Sequence, residues 1–226
     1  MSDSRPKHEG WDAYWSTDAQ GAHRLYAVLA SFYRRIFISG RLAYWLGRNF
    51  PTGSRLLHAG CGGGEVDVLI AKKYKITALD ISPNALHLYK KHNAHVVDTI
   101  HADLLSLEFS GRTFDGAYNL GVMEHFESPE IVTILCNLSK VVKPGGRLVL
   151  FWPLANAPSV KFLALWHSML NRCAKSAVEL HPPEINLIRS KSEIEEKITA
   201  AGLKMINYNI TPFDLMIQAV IVIYVP

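Results

Sequence analysis

The sequence predicts an α/β domain built on a mostly parallel sheet with helices on both faces. From Arg55 onward, short apolar runs alternate with amphipathic stretches at helical spacing, and repeated strand, helix, strand order implies a parallel sheet covered on both sides. The first of these runs leads straight into Gly60-Cys61-Gly62-Gly63-Gly64. Glycines at such a junction let backbone approach a ligand with no Cβ in the way. The chain has 226 residues, 49% hydrophobic and 19% charged, which supplies one full core and argues against general disorder.

Residues 1–12 are polar and mixed in charge, without the apolar region of a secretory signal. Between Gly21 and Leu46, apolar residues Leu25, Leu29, Phe32, Ile36, Leu42 and Leu46 recur at helical spacing around Ser39-Gly40. That pattern predicts two helices joined by a break. After Pro51-Thr52-Gly53, the alternation predicts strands over 55–59, 75–79, 96–102, 114–120 and 147–152, with helices over 65–73, 83–92 and 129–142. Lys143-Pro144-Gly145-Gly146 reads as a tight turn feeding the last of these strands. Further on, 157–172 and 191–201 read as helices, and 203–210 with 216–224 as an antiparallel pair.

Net charge is +4, but 21–50 carries five Arg (24, 34, 35, 41 and 48) and no acid. This basic face suits a solvated amphipathic helix, or docking on an anionic membrane surface or an acidic partner. Cys61, Cys136 and Cys173 include no C-x-x-C pair, so neither a disulfide framework nor a zinc site is expected and a reducing cytoplasm is the default compartment. His87, His92 and His95 surround a helix end and read as solvated rather than metal-binding. The longest apolar run, Leu215 to Val225, is too short for a bilayer span of roughly 20 residues.

A dinucleotide fingerprint would place its third glycine at position 65, where this chain has Glu65, which counts against a nicotinamide enzyme. Asp80 lies 20 positions past Gly60 at a strand end, placed to accept ribose hydroxyls. Asp103, in Ala102-Asp103-Leu104, offers a second carboxylate on the same sheet edge for an adenine amino group. With Phe114-Asp115-Gly116-Ala117-Tyr118-Asn119, Met123-Glu124-His125-Phe126 and Val142-Lys143-Pro144-Gly145-Gly146, the ordered set resembles the class I S-adenosylmethionine-dependent methyltransferases, in the branch acting on small molecules.

The resemblance implies a Rossmann-like three-layer sandwich with a seven-stranded sheet ending in an antiparallel hairpin. It also implies a helical cap over 1–52, a cofactor-binding domain over 53–226 and a substrate-covering insertion over 153–190. For S-adenosylmethionine it places Gly60, Cys61 and Gly62 beside the methionine and ribose, Asp80 on the ribose hydroxyls and Ile81 and Leu104 against adenine. Asp103 would take the adenine amino group, and Asn119 with Leu120 the methionine end. Tyr14 and Trp15, in Trp11-Asp12-Ala13-Tyr14-Trp15, would close over the cofactor, where an aromatic face suits a sulfonium. Members of the family usually carry an Asp or Glu where this chain has His58, and that acid helps hold the cofactor's amino group. A neutral His can also accept a hydrogen bond.

For methyl transfer to a hydroxyl, a base must take the proton while the acceptor is held in line. His125, Glu124 and His181 are the candidates, His125 first because its ordinary titration range suits base work near neutrality. Asn119-Leu120-Gly121-Val122 is not the Asn-Pro-Pro-aromatic motif of enzymes methylating exocyclic or amide nitrogens, and no aromatic-interleaved basic strand points to nucleic acid. The apolar insertion favours an aromatic, quinone-like or lipid-like small molecule. The expected activity is O-methylation, with nitrogen or carbon acceptors open. The alternative is a protein-acting methyltransferase, or a cofactor-binding module docking through the basic 21–50 face.

Overall fold

A computed structural model describes residues 8–16, 34–96, 98–108, 113–155, 184–211 and 217–226. Helix α1 (His8–Ser16) comes first; further on, a π-helical turn (Arg34–Ile38) runs into α2 (Ser39–Asn49). Strands β1 (Arg55–Ala59) and β2 (Lys75–Asp80) precede α3 (Pro83–His92), β3 (Asp98–His101), β4 (Phe114–Leu120) and α4 (Ser128–Val141). The chain then forms β5 (Val142–Pro153), α5 (Lys191–Ala200), β6 (Lys204–Ile210) and β7 (Gln218–Tyr224).

The seven strands form one sheet in the order β3-β2-β1-β4-β5-β7-β6. Strands β1 to β5 run parallel, and β7 pairs antiparallel with both β5 and β6. This is the expected sheet with its C-terminal hairpin. Connections leave β1 outward to β2 and β3, whereas β4 pairs on the other side of β1. The order reverses there, so the C-terminal ends of β1 and β4 flank the crevice where open parallel sheets bind ligands.

Both faces of the sheet are covered, which explains why its central strands read as continuous apolar runs. On one face Leu57, Ala59, Leu79, Ala117 and Leu148 pack with Ile131, Leu135, Ile194 and Ile198 from α4 and α5. On the other, Leu56, Ile76, Tyr118 and Phe151 meet Leu42, Trp45 and Leu46 of α2 and Leu86 and Tyr89 of α3. The α2 residues fall at i, i+3 and i+4, the stripe of a helix lying on a sheet. Gly116, in mid-strand, is required by this packing. A Cβ there would lie 2.7 Å from the Arg147 carbonyl and inside the ring of Phe50.

Helix boundaries follow local chemistry. Ser82 caps α3 by accepting from Ala85 N at 3.1 Å, with Pro83 following and Lys90, Lys91 and His92 in the last turn. That is the order the unpaired amides and the helix dipole favour. Glu127 and Glu130 form a capping box at the start of α4, Glu130 Oε2 accepting from Glu127 N at 2.9 Å.

Three sequence expectations need correction. The helix expected over 65–73 is a short 3₁₀ turn, Glu65–Asp67, followed by further turns. It starts from left-handed Gly64 without a side-chain cap, and Val66, Asp67 and Val68 are weak helix formers. Ser39-Gly40 is no break, because the π turn passes directly into α2 through Ile38 in helical conformation. An interior glycine costs a helix only about 1 kcal/mol. The Lys143-Pro144-Gly145-Gly146 turn is a bulged extension of β5, with Gly145 N donating to Val225 O at 2.8 Å. The helix expected over 157–172 lies outside the described residues. No helix among the described residues is long and apolar enough to cross a membrane.

Candidate active site

The glycine loop is fixed where β1 and β2 end. Gly60 N and Cys61 N both donate to Leu79 O, at 2.8 and 2.9 Å. Gly60, Gly62 and Gly64 take left-handed φ angles of 72°, 50° and 73°, conformations that residues with a Cβ adopt at a cost. Asp80 holds the arrangement together: its Oδ2 accepts from Gly62 N at 2.8 Å and its Oδ1 from Ser82 N at 2.9 Å. One carboxylate thus binds the loop, the end of β2 and the start of α3. Burial pushes the Asp80 carboxyl up from its ordinary value, against the backbone N–H donors of Ser82 and Gly62 and the nearby His58. Each carboxylate oxygen can accept a second hydrogen bond, which leaves capacity for ribose hydroxyls.

Helix α1 lies across this loop. The Trp15 indole would be 2.7 Å from a Cβ on Gly62 and 3.3 Å from one on Gly63. Asp12, which sequence reasoning passed over, anchors the helix: its Oδ1 accepts from Ser82 Oγ at 2.7 Å and from Asn84 N at 3.1 Å. Tyr14 packs edge-on against Trp15 with centroids 5.2 Å apart, and Trp11 edge-on against His125 at 4.9 Å. The aromatic cluster therefore spans from the glycine loop to the turn after β4.

His58, at the end of β1, is buried with its Nδ1 2.7 Å from Asp67 Oδ2. Cys61 is also buried, and burial, with Asp80 and Asp67 adding, raises its thiol far above the ordinary value, which suits packing and not nucleophilic work. Ile81 is half-buried at the mouth of β2. Asp103 caps the 3₁₀ turn Leu104–Ser106, accepting from Leu105 N at 2.9 Å. Leu104 packs into the main core and Leu120 against the opposite one. His92, expected in solvent, is half-buried with Nδ1 2.6 Å from Gly63 O. It supports the loop from α3.

Asn119, at the end of β4, is completely buried, and neither its Oδ1 nor its Nδ2 has a hydrogen-bond partner. Glu124, in the 3₁₀ turn Met123–His125, is buried with Oε2 unpartnered. Orphaned buried amides and carboxyls are rare because each carries a desolvation penalty. Asn119 and Glu124 both stand where β4 ends, at the mouth of the β1–β4 crevice. The turn is pinned from behind by Ile185 N and Asn186 N, which donate to Glu124 O at 2.8 and 3.0 Å. His125 is half-buried beside it, and His181 lies outside the described residues.

Residues 56–146 match the family model described as a methyltransferase domain. Over this stretch the chain is similar to methyltransferase domains. An O-methyltransferase of Aspergillus nomiae is 30% identical over 126 residues, 52% of this chain and 55% of that protein. The mitochondrial ubiquinone biosynthesis O-methyltransferase of Schizosaccharomyces pombe is 31% identical over 147 residues, 62% of this chain and 49% of that protein. The chain thus spans about half the length of the curated relatives it matches. Among solved structures, a TehB-like SAM-dependent methyltransferase from Corynebacterium glutamicum superposes with a TM-score of 0.63 at 18% identity, over 90% of this chain and 95% of that one. The magnesium protoporphyrin IX methyltransferase of Synechocystis gives 0.63 at 16%, over 94% and 91%. At such identities these likenesses establish the fold.

The residues present fit S-adenosylmethionine. The loop turns at left-handed glycines under the Trp15 indole, Asp80 retains acceptor capacity, and the Asn119 amide has both a donor and an acceptor unmet.

Burial pushes the Glu124 carboxyl to about 8, with the charge of Glu184 adding and its own backbone N–H opposing. A native value above the unfolded one means the native state holds the proton longer, so this group lowers stability as pH rises from 4.5 to about 8. Glu124→Gln removes that titration. We expect it to stabilise the protein by up to about 3 kcal/mol at pH 7, with no gain at pH 4 and a plateau above pH 8. Chemical denaturation of both proteins across pH measures this.

Proposed function

We propose that the protein transfers a methyl group from S-adenosylmethionine to an oxygen of a small, partly apolar metabolite. The observation that carries this reading is the pair of buried, unpartnered polar groups, Asn119 and Glu124, at the C-terminal edge of β4 beside the glycine loop. Such a crevice has its polar groups satisfied by what it binds. Oxygen as the acceptor, and a small molecule as its carrier, are supported by the relatives named O-methyltransferases and ubiquinone biosynthesis O-methyltransferases. Half-buried Val122 and Phe126 flank the turn after β4, apolar neighbours suited to an aromatic or quinone-like ring. No described feature favours a protein substrate over this reading.

S-adenosylmethionine supplies a methyl group activated by sulfonium. Asp80 and the glycine loop hold the nucleoside end, with Ile81 and Asp103 on the adenine side. Asn119 takes the methionine end, and Tyr14 and Trp15 close over it. A carboxyl that keeps its proton to about pH 8 is a hydrogen-bond donor at neutrality, so Glu124 orients the acceptor oxygen and His125 takes its proton. Catalysis is otherwise alignment of acceptor with methyl. His125→Ala should lower kcat by about 10²- to 10⁴-fold, the usual share of a general base, with S-adenosylhomocysteine affinity nearly intact. Equal turnover in the variant would remove His125 from the mechanism.

A second feature bears on where such a substrate is met. Ile36, Phe37, Tyr44, Val68 and Leu69 are each about half exposed (47–57%), and the 3₁₀ turn Glu65–Asp67 that precedes Val68 packs against both the π turn and α2. Arg35, Arg48, Lys72 and Lys73 stand exposed among them, the Arg48 guanidinium lying 5.7 Å from the Tyr44 ring centroid. Glu65 is held by Arg35 at 3.9 Å. Apolar side chains among cations complement an anionic lipid surface, and we propose that this face docks there from the cytoplasm. Vesicles with 30% anionic lipid should sediment the protein at low salt and release it at high salt. Arg48→Glu with Leu69→Ser should abolish sedimentation, and failure of the wild type to bind would refute the docking.

A further inference from the structure

Beneath the glycine loop lies a buried carboxyl group that the fold does not need. Asp67 is completely buried, and its Oδ2 receives three donors: His58 Nδ1 at 2.7 Å, the Tyr118 hydroxyl at 2.8 Å, and the Tyr89 hydroxyl in a short contact. Its Oδ1 has no partner, and among the described residues the one basic side chain beside it is His58. Burying a carboxylate costs several kcal/mol, and well-packed apolar residues would serve the core equally well or better. The cost points to a role in the site above it.

The hydrogen inventory fixes that role. Burial and the neighbouring Asp67 push both phenols far above their ordinary values, so each keeps its one proton and donates it. An oxygen already accepting two hydroxyl protons is an acceptor towards the imidazole as well, so the hydrogen at Nδ1 sits on the ring. A neutral imidazole protonated at Nδ1 carries its lone pair at Nε2. The ring plane is held by its neighbours: it stacks on Tyr118 with centroids 4.4 Å apart and planes 27° apart, and meets Tyr89 edge-on at 6.1 Å. His58 belongs to the last residues of β1, two before Gly60.

We propose that Asp67 is a positioning residue for the cofactor: with Tyr89 and Tyr118 it locks His58 in the Nδ1-protonated tautomer, so that Nε2 accepts a hydrogen bond from the bound cofactor. The carboxylate acts through the imidazole and does not touch the ligand. Together they give the floor of the site acceptor character, matching a ligand that carries hydrogen-bond donors. This rests on the S-adenosylmethionine reading, and the test separates the two.

The test is ¹⁵N NMR of the imidazole nitrogens in the full-length protein, paired with calorimetric titration of S-adenosylhomocysteine. In the wild type, His58 should show a protonated Nδ1 and an unprotonated Nε2, and S-adenosylhomocysteine should shift Nε2 as a lone pair accepting a hydrogen bond. Asp67→Asn should mix the tautomers and weaken S-adenosylhomocysteine at least tenfold, the scale of one hydrogen bond to a charged group. Tyr118→Phe, which keeps the ring stack and removes one donor, should weaken it less. A purely structural network would lower Tm in these variants while leaving tautomer and affinity unchanged, and that result would overturn the proposal. So would binding by the wild type without any Nε2 shift, an observation that needs no variant to fold. Absence of S-adenosylhomocysteine binding by the wild type would overturn the cofactor reading and this proposal together.

Discussion

The site depends on one buried carboxylate. Asp80 accepts from Gly62 N on one oxygen and from Ser82 N on the other, joining the glycine loop to the end of β2 and to the N-terminus of α3. The glycine loop and, through Ser82, α1 take their places at the crevice from this clamp. The loop cannot lift without breaking the hydrogen bond from Gly62 N to the Asp80 carboxyl. Through Ser82 the same group reaches Asp12 and so positions α1 with its three aromatic residues. The clamp works because the sheet reverses order between β1 and β4, which opens the crevice that the loop and helix then line.

A second carboxylate, Asp67, supports the opposite side of the loop, and a third acid, Glu124, ends the crevice beyond β4. The three are buried in different ways. Asp80 is paired with backbone donors, Asp67 with an imidazole and two phenols, and Glu124 Oε2 with no protein group at all. That gradient fits a division of work in which the first two shape the cofactor side and the last is completed by the acceptor. Each burial costs stability, and all three lie around the same crevice.

The sheet and its order of elements were legible because the strands are buried on both faces and read as apolar runs, and because Gly60 to Gly64 punctuates the first of them. The α3 boundaries were legible to the residue, since Ser82, Pro83 and the basic last turn act locally. What the sequence hid depends on contacts distant along the chain. Asp67 looked like one polar position on an amphipathic helix, yet its partners His58, Tyr89 and Tyr118 come from three other elements. An acid set between Val66 and Val68, followed by Leu69 and Ile70, was the available signal. Asp12 gave no signal, because its bonds to Ser82 and Asn84 span about seventy residues. His92 was misjudged for the same reason: only the fold brings it to the Gly63 carbonyl.

The central claim is that the β1–β4 crevice holds the adenosyl cofactor through the Asp80 clamp. Calorimetric titration of S-adenosylhomocysteine into the wild type and Asp80→Ala tests it most directly. The account predicts one site in the wild type and an affinity at least a hundredfold weaker in the variant, the loss of more than one hydrogen bond to a charged group. Equal affinities in the two proteins, or no binding by the wild type, would contradict it.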